Sequence, residues 1–157
     1  MLGTDHPHTL ATRHNLARWR GAAGDPANAV TEHERLLADY VRVLGPDHPH
    51  TLVTRNNLAG WRGEAGDPAG AATALNTLLT DCLRVLGPDH PHTLTTRNNL
   101  AKWQGEAGDP AGAVVTYNQL LADRLRVFGP NHRHTLAIRH NLAHWQGRVG
   151  SPDHPAS

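Results

Sequence analysis

Asp89-His90-Pro91-His92-Thr93-Leu94-Thr95-Thr96-Arg97-Asn98-Asn99-Leu100-Ala101-Lys102-Trp103-Gln104-Gly105 is the stretch that decides the fold. It contains a helix start at His-Pro, a helical body and a glycine. The same stretch recurs from His6, His48, His90 and His132, each step being 42 residues. Trp19, Trp61, Trp103 and Trp145 keep the same beat. A fixed period between 20 and 50 residues marks a solenoid or array, in which each unit buries its apolar face only against its neighbours.

Working outward, the period divides residues 1–157 into a single array: 5–46, 47–88, 89–130, a half repeat at 131–150 with its first helix only, and a tail at 151–157. Each full repeat signals two helices. The first begins at His-Pro, because proline at the first helical position loses no hydrogen bond and restricts the residue before it to extended geometry. It is predicted to end at a glycine pair, Gly21 and Gly24 in repeat one. The second begins at Asp25-Pro26, Asp67-Pro68 and Asp109-Pro110, each a preferred cap before proline. Its apolar stripe is Ala29, Val30, Leu36, Leu37, Tyr40, Val41 and Leu44 in repeat one, a spacing with a broad buried face. Gly45-Pro46, Gly87-Pro88 and Gly129-Pro130 stop it. Short turns make neighbouring helices antiparallel. The fold class is therefore all-α, with about seven helices. Ser151-Pro152 repeats the second start signal, but Pro155 would break a helix begun there.

Formal charge is +1, with acids and bases intermixed, which is not the clustered basic face of a nucleic-acid binder. No run approaches the ~20 apolar residues that span a bilayer. The N-terminus lacks the basic-then-apolar pattern of a signal peptide. A cytoplasmic protein is the expectation. The lone cysteine, Cys82, permits no internal disulfide. Thirteen histidines, with an unperturbed pKa of about 6.5, would make the chain cationic in mild acid and could couple stability to pH.

The repeats resemble the tetratricopeptide family. Leu16 and Ala17 sit at its Leu-Gly pair, Gly24-Asp25 at its turn and Ala29 at its small second-helix position. The 42-residue length and the Gly-Pro-Asp-His-Pro connector look more like the kinesin-light-chain variety, which also recurs in bacterial, notably actinobacterial, proteins beside signalling modules. Two departures stand out. Pro26 replaces the usual turn aromatic, and Trp19 lies one place before the family's tyrosine position, held here by Arg20. The resemblance implies a right-handed α-solenoid of antiparallel helix pairs whose first helices line a concave groove. It implies a non-catalytic scaffold that binds a protein or peptide segment.

Comparing repeats within the chain locates a candidate face. Ala11, Asn15, Arg18 and Ala22 share one face of the first helix. Asn15 is repeated as Asn57, Asn99 and Asn141, while its neighbours change: Arg18 becomes Gly60, Lys102 and His144. Core positions should stay alike, so a varying face is solvent or ligand. In this Asn-Leu-Ala context the four asparagines resemble the family's backbone-clamping ladder, and an amide's donors and acceptor suit an extended main chain. Arg18, Lys102 and His144, with Arg13, Arg55, Arg97 and Arg139, would select acidic or polar groups. The structural alternatives are that the asparagines tie one repeat to the next, and that the arginines pair with Asp39, Asp81 and Asp123.

Other motifs read as structural. The tryptophans are inter-repeat staples, each removing ~150–250 Å² from water, worth about 4–6 kcal/mol at most. Trp145, without its own second helix, is expected to be partly bare. The pairs His6/His8, His48/His50, His90/His92 and His132/His134 suggest a metal, but a zinc site needs three or four converging ligands, and these pairs lie one repeat apart. No metal site is expected. Serine occurs only at Ser151 and Ser157, and no glycine-rich loop follows a strand, so no enzyme and no cofactor are expected. Partners are a protein or peptide segment, not nucleic acid or membrane. The alternative is a structural array that self-assembles through uncapped ends, as a homo-oligomer, or a sensor fragment of a larger signalling protein.

Overall fold

The computed structural model of the chain describes residues 3–151. They form seven α-helices: α1 (Pro7–Ala22), α2 (Pro26–Leu44), α3 (Pro49–Glu64), α4 (Pro68–Leu86), α5 (Pro91–Glu106), α6 (Pro110–Phe128) and α7 (Arg133–Val149). The signals at Ser151-Pro152 and Pro155 lie at or beyond the edge of the described residues. The chain divides into two compact units, residues 1–74 and 75–157, with the division inside α4. In the first, α1 packs on α2 and α2 on α3; in the second, α5 packs on α6 and α6 on α7.

The helix starts are built as the dipeptides predict. His6 Nδ1 accepts the His8 N–H at 3.2 Å, and His48, His90 and His132 cap in the same way. Asp25 accepts from the Asn28 N–H at 3.0 Å, and Asp67 and Asp109 cap α4 and α6 at 2.8 Å. Each cap satisfies an N–H that has no partner inside the helix. Gly45 closes α2 with φ +90°, a conformation that other residues reach only with strain.

The repeated threonine of the opening stretch stitches helix to connector. Thr51 donates to the Gly45 carbonyl at 2.8 Å and Thr135 to the Gly129 carbonyl at 2.9 Å, both side chains buried. Outside, Arg42 clamps Asp5 with two bonds, at 2.6 and 2.9 Å, and Arg126 clamps Asp89 at the same distances. These pairs are exposed and screened by solvent, so each contributes little. Stability comes from the apolar interiors. Leu10 and Ala17 meet Leu36, Tyr40 and Leu44 in one unit. Leu94, Ala101, Tyr117, Leu120, Ile138, Leu142 and Trp145 cluster in the other.

In repeats one and three the first glycine of the predicted pair has a different role from the one the sequence suggested. Gly24, with φ +106°, ends the first hairpin turn, but Gly21 lies inside α1 and is buried. The indole of the next repeat lies on it: a Cβ at Gly21 would stand 2.7 Å from Trp61 Cη2, and one at Gly105 would stand 2.4 Å from Trp145 Cη2. The glycine is a seat for tryptophan. This also reverses the expectation for Trp145. Only 3% of it is exposed, whereas Trp19 is 76% exposed. Trp61 and Trp145 each lie on the glycine of the repeat before their own.

Gly147 holds the same register in α7 but has nothing within 4 Å of a built Cβ. The two positions should therefore respond oppositely to one substitution. Gly105→Ala gains the usual ~0.5–1 kcal/mol of helix propensity but forces a buried, rigid indole aside, at a cost of about 1–3 kcal/mol. Gly147→Ala keeps the gain without the clash. Urea denaturation should show the first less stable than the native chain and the second more stable. Two changes of equal sign would contradict the seat.

Candidate functional site

In the first unit, Asn15, Arg18 and Ala22 stand at i, i+3 and i+7 along α1, so they share a face. Together with Trp19 of α1 and Trp61 of α3 they line a cleft of about 230 Å³. Three of the four stripe positions found by comparing repeats thus meet in one cleft. The sequence reading did not include the two indoles, because their identical register suggested a uniform packing role. Trp19 supplies a large exposed aromatic face, while Trp61 is half-buried on Gly21. Arg18 is exposed at the rim. The cleft combines apolar walls, an amide and a guanidinium, a chemistry suited to a side chain and a main-chain group together.

The remaining candidates take different positions. Asn57 is half-buried, and its amide Nδ2 donates to His14 Nε2 at 3.0 Å. Asn141 Nδ2 donates to Asn98 Oδ1 at 3.4 Å. These two asparagines bridge first helices of adjacent repeats inside each unit. Asn99 accepts from Asn98 Nδ2 at 3.4 Å. Arg13 pairs with Asp39 at 2.7 Å, and Arg97 pairs with Asp123. Arg55 is half-buried and Arg139 exposed. The Lys102 ammonium lies 4.2 Å over the Trp103 ring, and His144 stands edge-on to Trp145 at 5.0 Å. Asn15 and Arg18 are the candidates that line this cleft.

Behind the cleft lies a pair of histidines that the sequence reading passed over. His33, fully buried on α2, holds its Nδ1 2.8 Å from the Ala29 carbonyl. Since a carbonyl only accepts, that nitrogen carries the proton, and the buried Nε2 has no partner. The His14 ring packs edge-on to His33 at 5.1 Å, and Trp61 lies beyond at 6.4 Å. Desolvation, then the His33, Arg18 and His50 charges, lowers His14 to about 4. Desolvation likewise lowers His33, against its bond to Ala29, and Arg18 adds to the lowering. A signal was available: the other full repeats carry Asn56 with Leu75 and Asn98 with Tyr117 at these two positions.

Among the described residues no three His, Cys, Asp or Glu side chains converge as metal ligands. Cys82 is buried, with Sγ 3.8 Å from Thr96 Oγ1. No described helix is long and apolar enough to cross a membrane.

Helical hairpins of this length, turned at Gly-Asp and repeated in register, are matched by the family model for the tetratricopeptide repeat over residues 9–81 and 66–125. The chain belongs to the tetratricopeptide repeat family. Its fold is that family's all-α solenoid. Among solved structures, this tetratricopeptide chain is similar to a Podosopora anserina protein described as a kinesin light chain with nearly identical TPR-like repeats. One structure of that protein matches at 28% identity and TM-score 0.81, over 96% of this chain and 71% of the other. BtubC (BKLC) from P. vanneervenii shares the fold at 18% identity and TM-score 0.79, over 90% of this chain and 57% of that one. A comparison with curated proteins returned no match. The kinesin-light-chain-like variety that the repeat length and the Gly-Pro-Asp-His-Pro connector resemble is thus the one found. Tetratricopeptide repeats serve in general as scaffolds for protein interaction, and the family is generally non-catalytic.

Proposed function

We propose that the chain is a non-catalytic cytoplasmic module that holds an extended segment of a partner protein along the face of its first helices. The observation that carries this reading is the cleft of Asn15, Arg18, Trp19, Ala22 and Trp61. An apolar side chain of the partner enters between the indoles. The Asn15 amide bonds the adjacent main chain, and Arg18 attracts an acidic or polar group nearby. Within the second unit, Lys102 and His144 hold the repeat register of Arg18. Asn57 and Asn141 fix the spacing of neighbouring first helices rather than contacting the segment.

Selection of binders from a random 12-residue peptide display library tests this. Binders should lose at least tenfold in affinity, about 1.4 kcal/mol, to Trp19→Ala and to the double variant Asn15→Ala/Arg18→Ala. Arg35→Ala, on the exposed side of α2, should leave them unchanged. Binders indifferent to both cleft variants would end the proposal.

A second reading, self-association, is favoured by a separate observation. Leu16 is 48% exposed and Leu136 49%, although their counterparts Leu58, Leu100, Leu10, Leu52 and Leu94 are buried. Light scattering across a dilution series decides it, since a concentration-independent monomer excludes assembly through these faces.

A further inference from the structure

The connector leading into α7 departs from its three counterparts. Asn131 stands where the others have Asp5, Asp47 and Asp89, and Arg133 stands where they have Pro7, Pro49 and Pro91. In the preceding helix Arg124 takes the slot of Tyr40 and Cys82. Each change makes the local charge more positive by one, and all three fall at one junction within the second unit.

The side chains gather there. Arg124 is only 7% exposed, yet its Nη1 reaches the first turn of α7, 3.1 Å from His134 Nδ1. Its Nε is buried with no partner. The guanidinium lies 5.5 Å over Phe128, His132 stacks on the same ring at 4.6 Å, and His134 stands 4.9 Å from His132. Among the described residues no carboxylate is bonded to Arg124, Arg133, His132 or His134. The neighbouring acid, Asp123, is taken by Arg97 and Arg126. Asn131 removes the aspartate that Arg42 and Arg126 clamp in repeats one and three. Desolvation and the charges of Arg124 and Arg133 depress the His134 pKa, in keeping with an excess of positive charge.

A buried cation without a counter-ion is costly, and the N-terminus of a 17-residue helix adds positive potential, the His134 N–H there being already capped by His132 Nδ1. Arg133 also brings an amide N–H to the first helical position, where α1, α3 and α5 have proline. We propose that this junction is a binding site for a phosphate-type oxyanion, free or as the phosphomonoester of a partner's side chain. The anion sits at the first turn of α7, contacted by Arg133 and His134, and Arg124 charges the site from beneath.

Amide spectra of the ¹⁵N-labelled chain at pH 7.5 test this. Inorganic phosphate, sodium chloride at matched ionic strength, N-acetyl-phosphoserine amide and N-acetyl-serine amide are each added. Saturable shifts at His134 and Thr135 are expected with phosphate and not with chloride. Tighter binding of the phosphoserine derivative assigns the site to a phosphorylated partner; tighter binding of inorganic phosphate assigns it to the free anion. Unsaturable shifts, or shifts equal in chloride, overturn the site. Arg124→Tyr, which restores the residue of repeat one, should weaken phosphate at least fivefold. Should that variant fold poorly, Arg133→Pro decides, because proline is native to the same position in three other helices. It should weaken phosphate at least threefold, and unchanged affinity in Arg133→Pro overturns the assignment.

Discussion

Trp145→Ala should lower the stability of the chain by about 3–5 kcal/mol, the range for emptying a buried aromatic site, while Trp19→Ala should change it by no more than about 0.5 kcal/mol. Both residues occupy the same place in the repeat, and their local sequences, Asn-Leu-Ala-Arg-Trp and Asn-Leu-Ala-His-Trp, differ at one position. Trp145 is 3% exposed, seated on Gly105 and joined to a cluster with Tyr117, Leu120 and Leu142. Removing its indole leaves a void that a glycine across the interface cannot fill, so the loss includes a cavity as well as transfer to water. Trp19, 76% exposed, has little contact to lose. For a chain of this size each kcal/mol moves the melting temperature by roughly 2–4 °C, so the first variant should melt roughly 6–20 °C lower. Thermal unfolding followed by circular dichroism distinguishes the pair. Equal losses would show that Trp19 also has a covered seat.

The second large effect concerns acid. His14 titrates at about 4 in the folded chain, against 6.5 for the free side chain, and His33 is lowered in the same direction. The folded state therefore binds fewer protons than the unfolded state between these values, and stability falls as pH drops through 6.5 toward 4. The groups facing the pair are Arg18 on the same helix as His14, Glu32 beside His33 on α2, and His50 on α3. The His33 bond to the Ala29 carbonyl and, less, the Glu32 charge oppose the trend. His14 alone should cost about 1–2 kcal/mol at pH 5, with solvent screening at its half-exposed ring discounted. His33 adds to this, because its charged form would be fully buried. The variant His14→Asn/His33→Leu installs the residues that repeat two carries at these positions. Between pH 7.5 and 5 the native chain should lose roughly 3–8 °C more in melting temperature than this variant. At pH 7.5 His33→Leu should be neutral or stabilising, because it removes a buried nitrogen without a partner. Parallel losses in both proteins would remove the histidine pair as the cause.

The elements were legible because their signals act within a few residues. Asp25-Pro26 caps and starts α2 by bonds to its own first turn, and Gly45 ends it through its own φ. The candidate cleft was legible in part. Variation at Arg18 and Ala22 beside the repeated Asn15 pointed to the face that forms the cleft. Yet Asn57 and Asn141, identical in type to Asn15, are engaged by His14 and Asn98 of the repeat before them. Arg13 and Arg97 are held by Asp39 and Asp123 of their own second helices, the pairing the sequence allowed as an alternative.

The sequence by itself determined the repeat length, the helix starts and the all-α class, since each rests on short-range geometry or on a period that can be counted, while the family followed from the resemblance of its motifs. Only the tertiary structure decided which copy of a repeated residue is buried. Trp19 and Trp145 share a register, but burial depends on whether a preceding glycine lies beneath the ring. That is a property of the neighbouring repeat and not of the tryptophan's own segment.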